Sequence, residues 1–110
     1  MNLPLHNANR TMQLLNKTAI RGVPALYEQE DNGKETVAYL KFFLDSFTWF
    51  LTELDAETGE AFGKVFSHMT PDGELGAFSL PEIAGVSGRL GNAAERDRYF
   101  KPQPLSQCKP

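Results

Sequence analysis

The stretch from Val37 to Leu54, VAYLKFFLDSFTWFLTEL, constrains the fold of this chain more than any other. Two apolar runs rich in aromatic side chains flank Asp45 and Ser46, an arrangement that suits a β-hairpin. The stretch carries the only Trp and, with Tyr39, Phe42, Phe43, Phe47 and Phe50, half of the aromatic residues of the chain. In a strand, successive side chains point to opposite faces. Ala38, Leu40, Phe42 and Leu44 therefore share one face of the first run, and Val37, Tyr39, Lys41 and Phe43 share the other. In the second run Phe47, Trp49 and Leu51 oppose Thr48, Phe50 and Thr52. Leu40, Phe42, Trp49 and Leu51 are the expected core. A sheet with one wet face would alternate more cleanly, so the face of Tyr39, Phe43 and Phe50 needs a cover. Either a helix and the C-terminal segment supply it, or these three aromatics form a patch for a partner.

A chain of 110 residues has room for one domain, which buries roughly 65% of the surface its unfolded form exposes. Hydrophobic residues at 41% and charged residues at 23% are ordinary globular values and exclude a disordered chain. The single cysteine, Cys108, has no partner for an internal disulfide, which argues against a secreted, bridge-stapled domain. The N-terminus lacks the apolar run of a signal peptide, and no stretch approaches the roughly 20 apolar residues that span a bilayer. The expected location is the cytoplasm.

The net charge of −3 hides a segregation. Residues 1–27 carry +3, residues 28–82 carry −9 and residues 83–110 carry +3. Acids collecting in solvated turns are one account of this layout. The other is an acidic surface for a basic partner, centred on the loops with Glu28, Glu30 and Asp31 and with Asp55, Glu57 and Glu60. Domains that grip phosphate backbones usually show a basic footprint, which the whole chain lacks.

Along the chain, residues 1–10 read as a tail, 11–105 as a single α+β domain and 106–110 as a second tail. Helical spacing runs from Thr11 to Arg21, with Asn16 able to cap a shorter helix from Lys17 and Gly22 and Pro24 ending either version. An extended Pro24–Tyr27 leads to a polar loop, Glu28 to Glu35, whose Asp31-Asn32-Gly33 signals a turn. After the central hairpin come a polar loop from Asp55 to Glu60, a strand from Ala61 to Ser67, a turn at Thr70-Pro-Asp-Gly73 and a strand from Glu74 to Leu80. Ser79 caps a short helix with Pro81 just inside, Gly85 to Gly91 form a loop, and Ala93 to Phe100 suit one or two helical turns. The expected fold is a sheet of about four strands in an antiparallel meander, with a short N-terminal helix and short C-terminal helical turns.

Chemistry is sparsely marked. His6, His68 and Cys108 have no spacing that assembles a metal site, and Asp55, Glu57 and Glu60 lack the Gly and closing acid of a calcium loop, so neither a metal nor a cofactor is expected. Glu53 with Asp45 or Asp55 is the only candidate carboxylate pair for acid and base work. Gly85-Val-Ser-Gly88-Arg-Leu-Gly91 can offer amides to a phosphate but has the signature of neither a Walker loop nor a dinucleotide site. Arg89, Arg96, Arg98 and Lys101, near Tyr99 and Phe100, mix bases with aromatics as single-strand binders do, although Glu95 and Asp97 interleave with them.

Pro24-Ala-Leu-Tyr27, Lys41-Phe-Phe43, Thr48-Trp-Phe50 with Glu53, Phe62-Gly63, Leu75-Gly-Ala-Phe-Ser-Leu80, and Glu95-Arg-Asp97 with Phe100-Lys-Pro102 and Leu105 stand in an order and spacing that resemble a family. It is a family of short bacterial proteins of unknown function carried on conjugative plasmids, integrative elements and other mobile DNA. The likeness spans about residues 14–105, with Phe50 where Tyr is usual and Ala77 where an aromatic is usual. The resemblance carries over no catalytic residue and implies context only: small proteins of mobile DNA often protect it from host restriction or CRISPR systems, or assist its transfer. The leading expectation is a non-enzymatic, acidic interaction protein, an inhibitor of a host nucleic-acid defence complex. The alternatives are a nucleic-acid-binding accessory factor for plasmid transfer or maintenance, and a small enzyme built around Glu53.

Overall fold

The computed structural model describes residues 14–29 and 36–110. The elements are helix α1 (Lys17–Ile20), strands β1 (Val37–Ala38), β2 (Leu40–Leu44), β3 (Phe47–Leu54), β4 (Glu60–Ser67) and β5 (Thr70–Ser79), helix α2 (Leu80–Gly85), strands β6 (Glu95–Arg96) and β7 (Gln103–Pro104), and a 3-10 turn (Leu105–Gln107). The main sheet has the order β5-β4-β3-β2-β6 and is antiparallel throughout, while β1 and β7 pair as a small separate ribbon. The architecture is α+β. The expected tail at 1–10, the start of the N-terminal helix and the Asp31-Asn32-Gly33 turn lie outside the described residues.

Local chemistry explains the ends of the elements. The Asn16 side chain accepts the Ala19 amide at 2.7 Å and starts α1 at Lys17. The Ser79 hydroxyl accepts from Glu82 at the head of α2, with Pro81 in the first turn, where its missing N–H costs nothing. At the β2–β3 hairpin Asp45 takes φ of 51°, a left-handed geometry that Asp tolerates better than most residues. The expected hairpin across Asp45 and Ser46 is present, with Leu44 opposite Phe47 and Leu40 opposite Leu51.

Three expectations need correction. The sheet has five strands, not about four, because Glu95 and Arg96 pair with Phe43 and Phe42 on the free edge of β2 where helical turns were expected. Unpaired strand amides and carbonyls demand partners, and that demand outweighs the weak helix preference of a short charged run. The second correction concerns Thr70 to Gly73: the chain reverses one step earlier, at His68 and Met69. Pro71, Asp72 and Gly73 instead bulge out of β5 where the register passes from Val65–Glu74 to Ser67–Thr70. Gly73 has φ of 82°, and a Cβ there would collide with Lys64 and Phe66, so turn chemistry serves a bulge. Third, Pro24 to Tyr27 does not run on as an extended lead, because Tyr27 turns at φ of 71°.

Two cores sandwich the sheet. The first holds Leu14, Leu15, Leu40, Phe42, Leu44, Leu51, Leu54, Ala61 and Ala94 with Leu80, Ile83 and Ala84 of α2. The second, on the opposite face, is Ala38, Phe50, Phe66 and Cys108, with Phe100 and Leu105 against them. Leu40, Phe42 and Leu51 are buried as expected, while Trp49 is half-buried and stacks on the exposed Phe47 at 5.5 Å and 12°. The chain therefore covers part of its own second face with its C-terminal segment, in which Leu105 and Cys108 pack on Phe50 and Phe66.

Candidate functional site

At the far end of β3 from its hairpin, one residue falls out of the strand alternation. Leu51 pairs with Gly63 and Glu53 with Phe62, leaving Thr52 as the extra residue of a bulge, and the Thr52 hydroxyl donates to the Phe62 carbonyl at 3.0 Å. Leu51 and Leu54, three positions apart, consequently both enter the first core, and Glu53 turns to the other side.

Glu53 is buried, and its two oxygens accept the main-chain N–H groups of Tyr27 at 3.0 Å and Gln29 at 2.7 Å. Gln29, also buried, completes the arrangement. Its amide nitrogen donates to the carbonyls of Val37 and Thr52, at 2.9 and 2.8 Å, and its side-chain oxygen accepts from the Val37 amide at 2.8 Å. A carboxylate and a carboxamide thus rivet the 26–29 turn between β1 and β3. Every one of these contacts ties side chain to backbone, which fixes the turn in one geometry.

The turn presents the Tyr27 ring to solvent, 75% exposed, over a cleft of about 360 Å³. Leu26 and Tyr27 of the turn, Phe62 of β4, Leu75 and Ala77 of β5 and Leu105 of the C-terminal 3-10 turn line it. Glu53 lines the floor and Glu60 the rim, and no Lys or Arg lines the cleft among the described residues. A shallower depression shares Glu60 and Ala77 with it and adds Glu82. Phe62 and Leu75 are exposed, the latter at 60%, so an apolar surface with acids around it faces outward.

The acidic residues singled out in the sequence converge only partly. Glu28 is exposed beside Tyr27, Glu57 is exposed in the next loop and Glu60 sits on the cleft rim. Asp55 has a local duty: one oxygen accepts the Glu57 and Thr58 amides and closes its own loop. Glu30 and Asp31 lie outside the described residues.

The three aromatics of the expected patch do not come together. Phe50 is 1% exposed, edge-on to Phe66 with centroids 5.8 Å apart and 5.7 Å from Phe100. Tyr39 packs against the first core, because the strand breaks at Tyr39 and reverses its phase between Ala38 and Leu40. Phe43 alone stays exposed on its strand, at 39%.

The basic residues are likewise dispersed in role. Arg96 donates from Nε to the Leu14 carbonyl at 2.9 Å, and its burial and the nearby Arg98 push its pKa down. Arg89, Arg98 and Lys101 are exposed, and Tyr99 between them is 90% exposed, whereas Phe100 anchors on Phe50. Asp97 reaches Lys41 at 4.0 Å, an ion pair at the limit of contact.

The glycine-rich loop uses its own amides. Gly88 donates to the Asn92 carbonyl, Gly91 to the Gly88 carbonyl and Arg89 to Asp45. Asp45, Glu53 and Asp55 are each bound to a different backbone segment, so no carboxylate pair faces a common point. His68 meets Ser46 at 3.1 Å on the surface of two hairpin tips. Among the described residues no group of three or more His, Cys, Asp or Glu side chains gathers to hold a metal ion, and no helix is long and apolar enough to cross a membrane.

The cleft was not read from the sequence. Gln29 sits in a polar loop and resembles any solvated residue, and the bulge at Thr52 has no local signature. Phe62 and Leu75, apolar residues within the two strands, are the nearest signal in the sequence for a surface there.

These features place the chain among small α+β proteins built on a twisted antiparallel sheet with short helices on one face and an extended C-terminal segment on the other. Over residues 8–108 it matches the family described as protein of unknown function (DUF2958), and it belongs to that family. No curated protein and no solved structure matches it.

Proposed function

We propose that this chain is a non-enzymatic interaction protein of the cytoplasm that binds a basic protein surface through the cleft at Tyr27, Glu53 and Glu60. The observation that carries the reading is an outward-facing apolar cleft lined by the exposed Glu60, with the Glu53 carboxylate beneath it held by main-chain N–H groups and no Lys or Arg among its described lining residues. Aromatic anchors at the centre and charge at the margin are what a binding surface needs, and the sign of the charge selects the partner. Proteins that handle nucleic acid hold it in basic channels, and an acidic domain presents the same sign of charge as the phosphate backbone. Together with the resemblance to proteins of mobile DNA, this supports an inhibitor of a host nucleic-acid defence complex, of anti-CRISPR or anti-restriction type.

The test is affinity purification from host lysate with the wild-type chain and a Glu28→Lys, Glu57→Lys, Glu60→Lys variant. A basic nucleic-acid-handling protein is expected with the wild type, released by salt and not held by the variant. Equal recovery by both, or no enriched protein, rules the reading out.

Tyr99, 90% exposed with Arg98 and Lys101 around it, favours a second reading, an accessory factor that binds nucleic acid directly. A gel shift at low salt with single- and double-stranded DNA decides it. Binding that weakens when Arg89, Arg96, Arg98 and Lys101 are replaced by Ala supports this reading, and unchanged binding removes those residues from it.

A further inference from the structure

We propose that β5 receives an extended, basic segment of the partner as an added antiparallel or parallel strand, with alternate side chains of that segment seated in the cleft. The inference rests on the interaction reading above and adds the manner of recognition. Strand β5 lies at the edge of the sheet, among the described residues pairs only with β4, and beyond the 71–73 bulge keeps an unbroken register over residues 74–79. Half of its main-chain groups therefore face outward, and a row of unpaired N–H and C=O groups is a template for another strand.

Edges are commonly protected by Lys, Pro or a bulge; β5 has Pro71 and the 71–73 bulge at its start, and residues 74–79 carry none of these. Its charges are Asp72 and Glu74, both exposed, with Glu60 and Glu82 near its end. A second copy of this chain would bring the same acids against them, whereas a segment with Lys or Arg at alternate positions is complementary.

The geometry of the side chains agrees. Leu75 and Ala77 are two apart on β5, stand on one face opposite Lys64 and Phe62, and both line the cleft. A strand added beside β5 places every second side chain next to Leu75 and Ala77, continuous with the apolar lining of the cleft. Main-chain pairing then supplies affinity and the cleft supplies selection of the side chain.

The probe is an alternating Lys-Val peptide of about ten residues, long enough to pair along a whole edge strand. It is titrated into the isotopically labelled full chain while amide shifts and amide exchange are read. Slowed exchange along β5 together with shifts at Tyr27 and Phe62 is the expected result. A peptide N-methylated at alternate residues keeps its side chains but loses its donors, and is expected to bind at least about tenfold more weakly. Gly76→Lys should weaken the unmodified peptide similarly, since a Cβ at Gly76 meets nothing within 4 Å and the monomer is left intact.

Shifts at Tyr27 and Phe62 without protection of β5, or equal binding of the N-methylated peptide, overturn strand addition while leaving the interaction reading standing. No response at either place removes both. Protection of β5 that rises with protein concentration in the absence of peptide assigns the edge to a second copy and overturns the proposal.

Discussion

Both oxygens of Glu53 accept main-chain N–H groups in a place closed to water, so the residue has a structural duty whatever else the cleft does. Glu53→Gln preserves size but turns one acceptor into a donor that faces a donor. A buried hydrogen-bonding group left unmatched costs about 1–3 kcal/mol. We expect Glu53→Gln to lower the unfolding free energy by that amount in a urea titration, and Gln29→Ala to cost at least as much, because three side-chain hydrogen bonds disappear. A midpoint within error of wild type for both variants would show that the 26–29 turn is not riveted as described.

Asp45 is the second residue whose charge is tied to geometry. The Arg89 amide and then the Asn92 side chain hold its pKa below the usual carboxylate value; desolvation opposes them, and the Arg89 charge adds a lesser lowering. A carboxyl lowered in the fold favours the folded arrangement above its unfolded pKa of about 3.9 and ceases to do so as pH falls through the folded value. The latch between the β2–β3 hairpin and the 88–92 loop should therefore open only below about pH 4. Protection of the Arg89 amide, its exchange relative to the intrinsic rate at each pH, reads this directly, and Asp45→Asn should remove the loss of protection on acidification.

At the level of elements, the closest approach lies between β3 and β4. A Cβ on Gly63 would run into the carbonyl of Phe50, which is backbone and cannot swing aside. Gly63→Ala is expected to cost at least about 2 kcal/mol, since the two strands must separate to admit a methyl group. Gly76→Ala on the next strand, where a Cβ meets nothing, is the control and should fall within about 0.5 kcal/mol of wild type. Parallel thermal unfolding of the two variants makes the comparison.

The same elements show what a single sequence can reveal. The hairpin over Asp45 and Ser46 and both helix caps were legible, because each rests on residues within four positions of one another. β6 and the β1–β7 ribbon were not, since each consists of two residues whose partners lie more than 50 positions away. Proline, aspartate and glycine at 71–73 correctly announced an irregular backbone, and the bulge and the turn compete for the same residues. Tyr39 was put on the wrong face because period-two counting assumes an unbroken strand, and the break at Tyr39 shifts the phase. The cleft depends on Glu53, Gln29 and the Thr52 bulge acting together, a contact across more than 20 positions that no local pattern carries.

On the scale of the whole molecule, the basic C-terminal segment from residue 83 closes over the acidic segment 28–82. Phe100, Leu105 and Cys108 lie on Phe50, Ala38 and Phe66, and Lys41 stands 5.6 Å from the Phe50 ring centroid, so the second core is apolar at the centre and basic at the margin. Cys108 is 4% exposed, and burial pushes its thiol pKa up, with Lys41 and Lys64 opposing weakly. A chain ending at Pro102 loses β7, the 3-10 turn and Cys108 at once, so Leu105 and Cys108 leave the second core and only Phe100 still covers Phe50 and Phe66. Losing the burial of an apolar side chain costs up to about 1.5–3 kcal/mol, a large part of the margin of a small domain. The truncated chain should bind a hydrophobic dye and unfold at a markedly lower temperature, whereas Cys108→Ala, which removes only the sulfur, should cost about 1 kcal/mol and bind no dye. If the truncated chain unfolds at the wild-type temperature, the C-terminal segment is not the cover of this face. The cleft would then have to be sought with that face open, since Leu105 lines it.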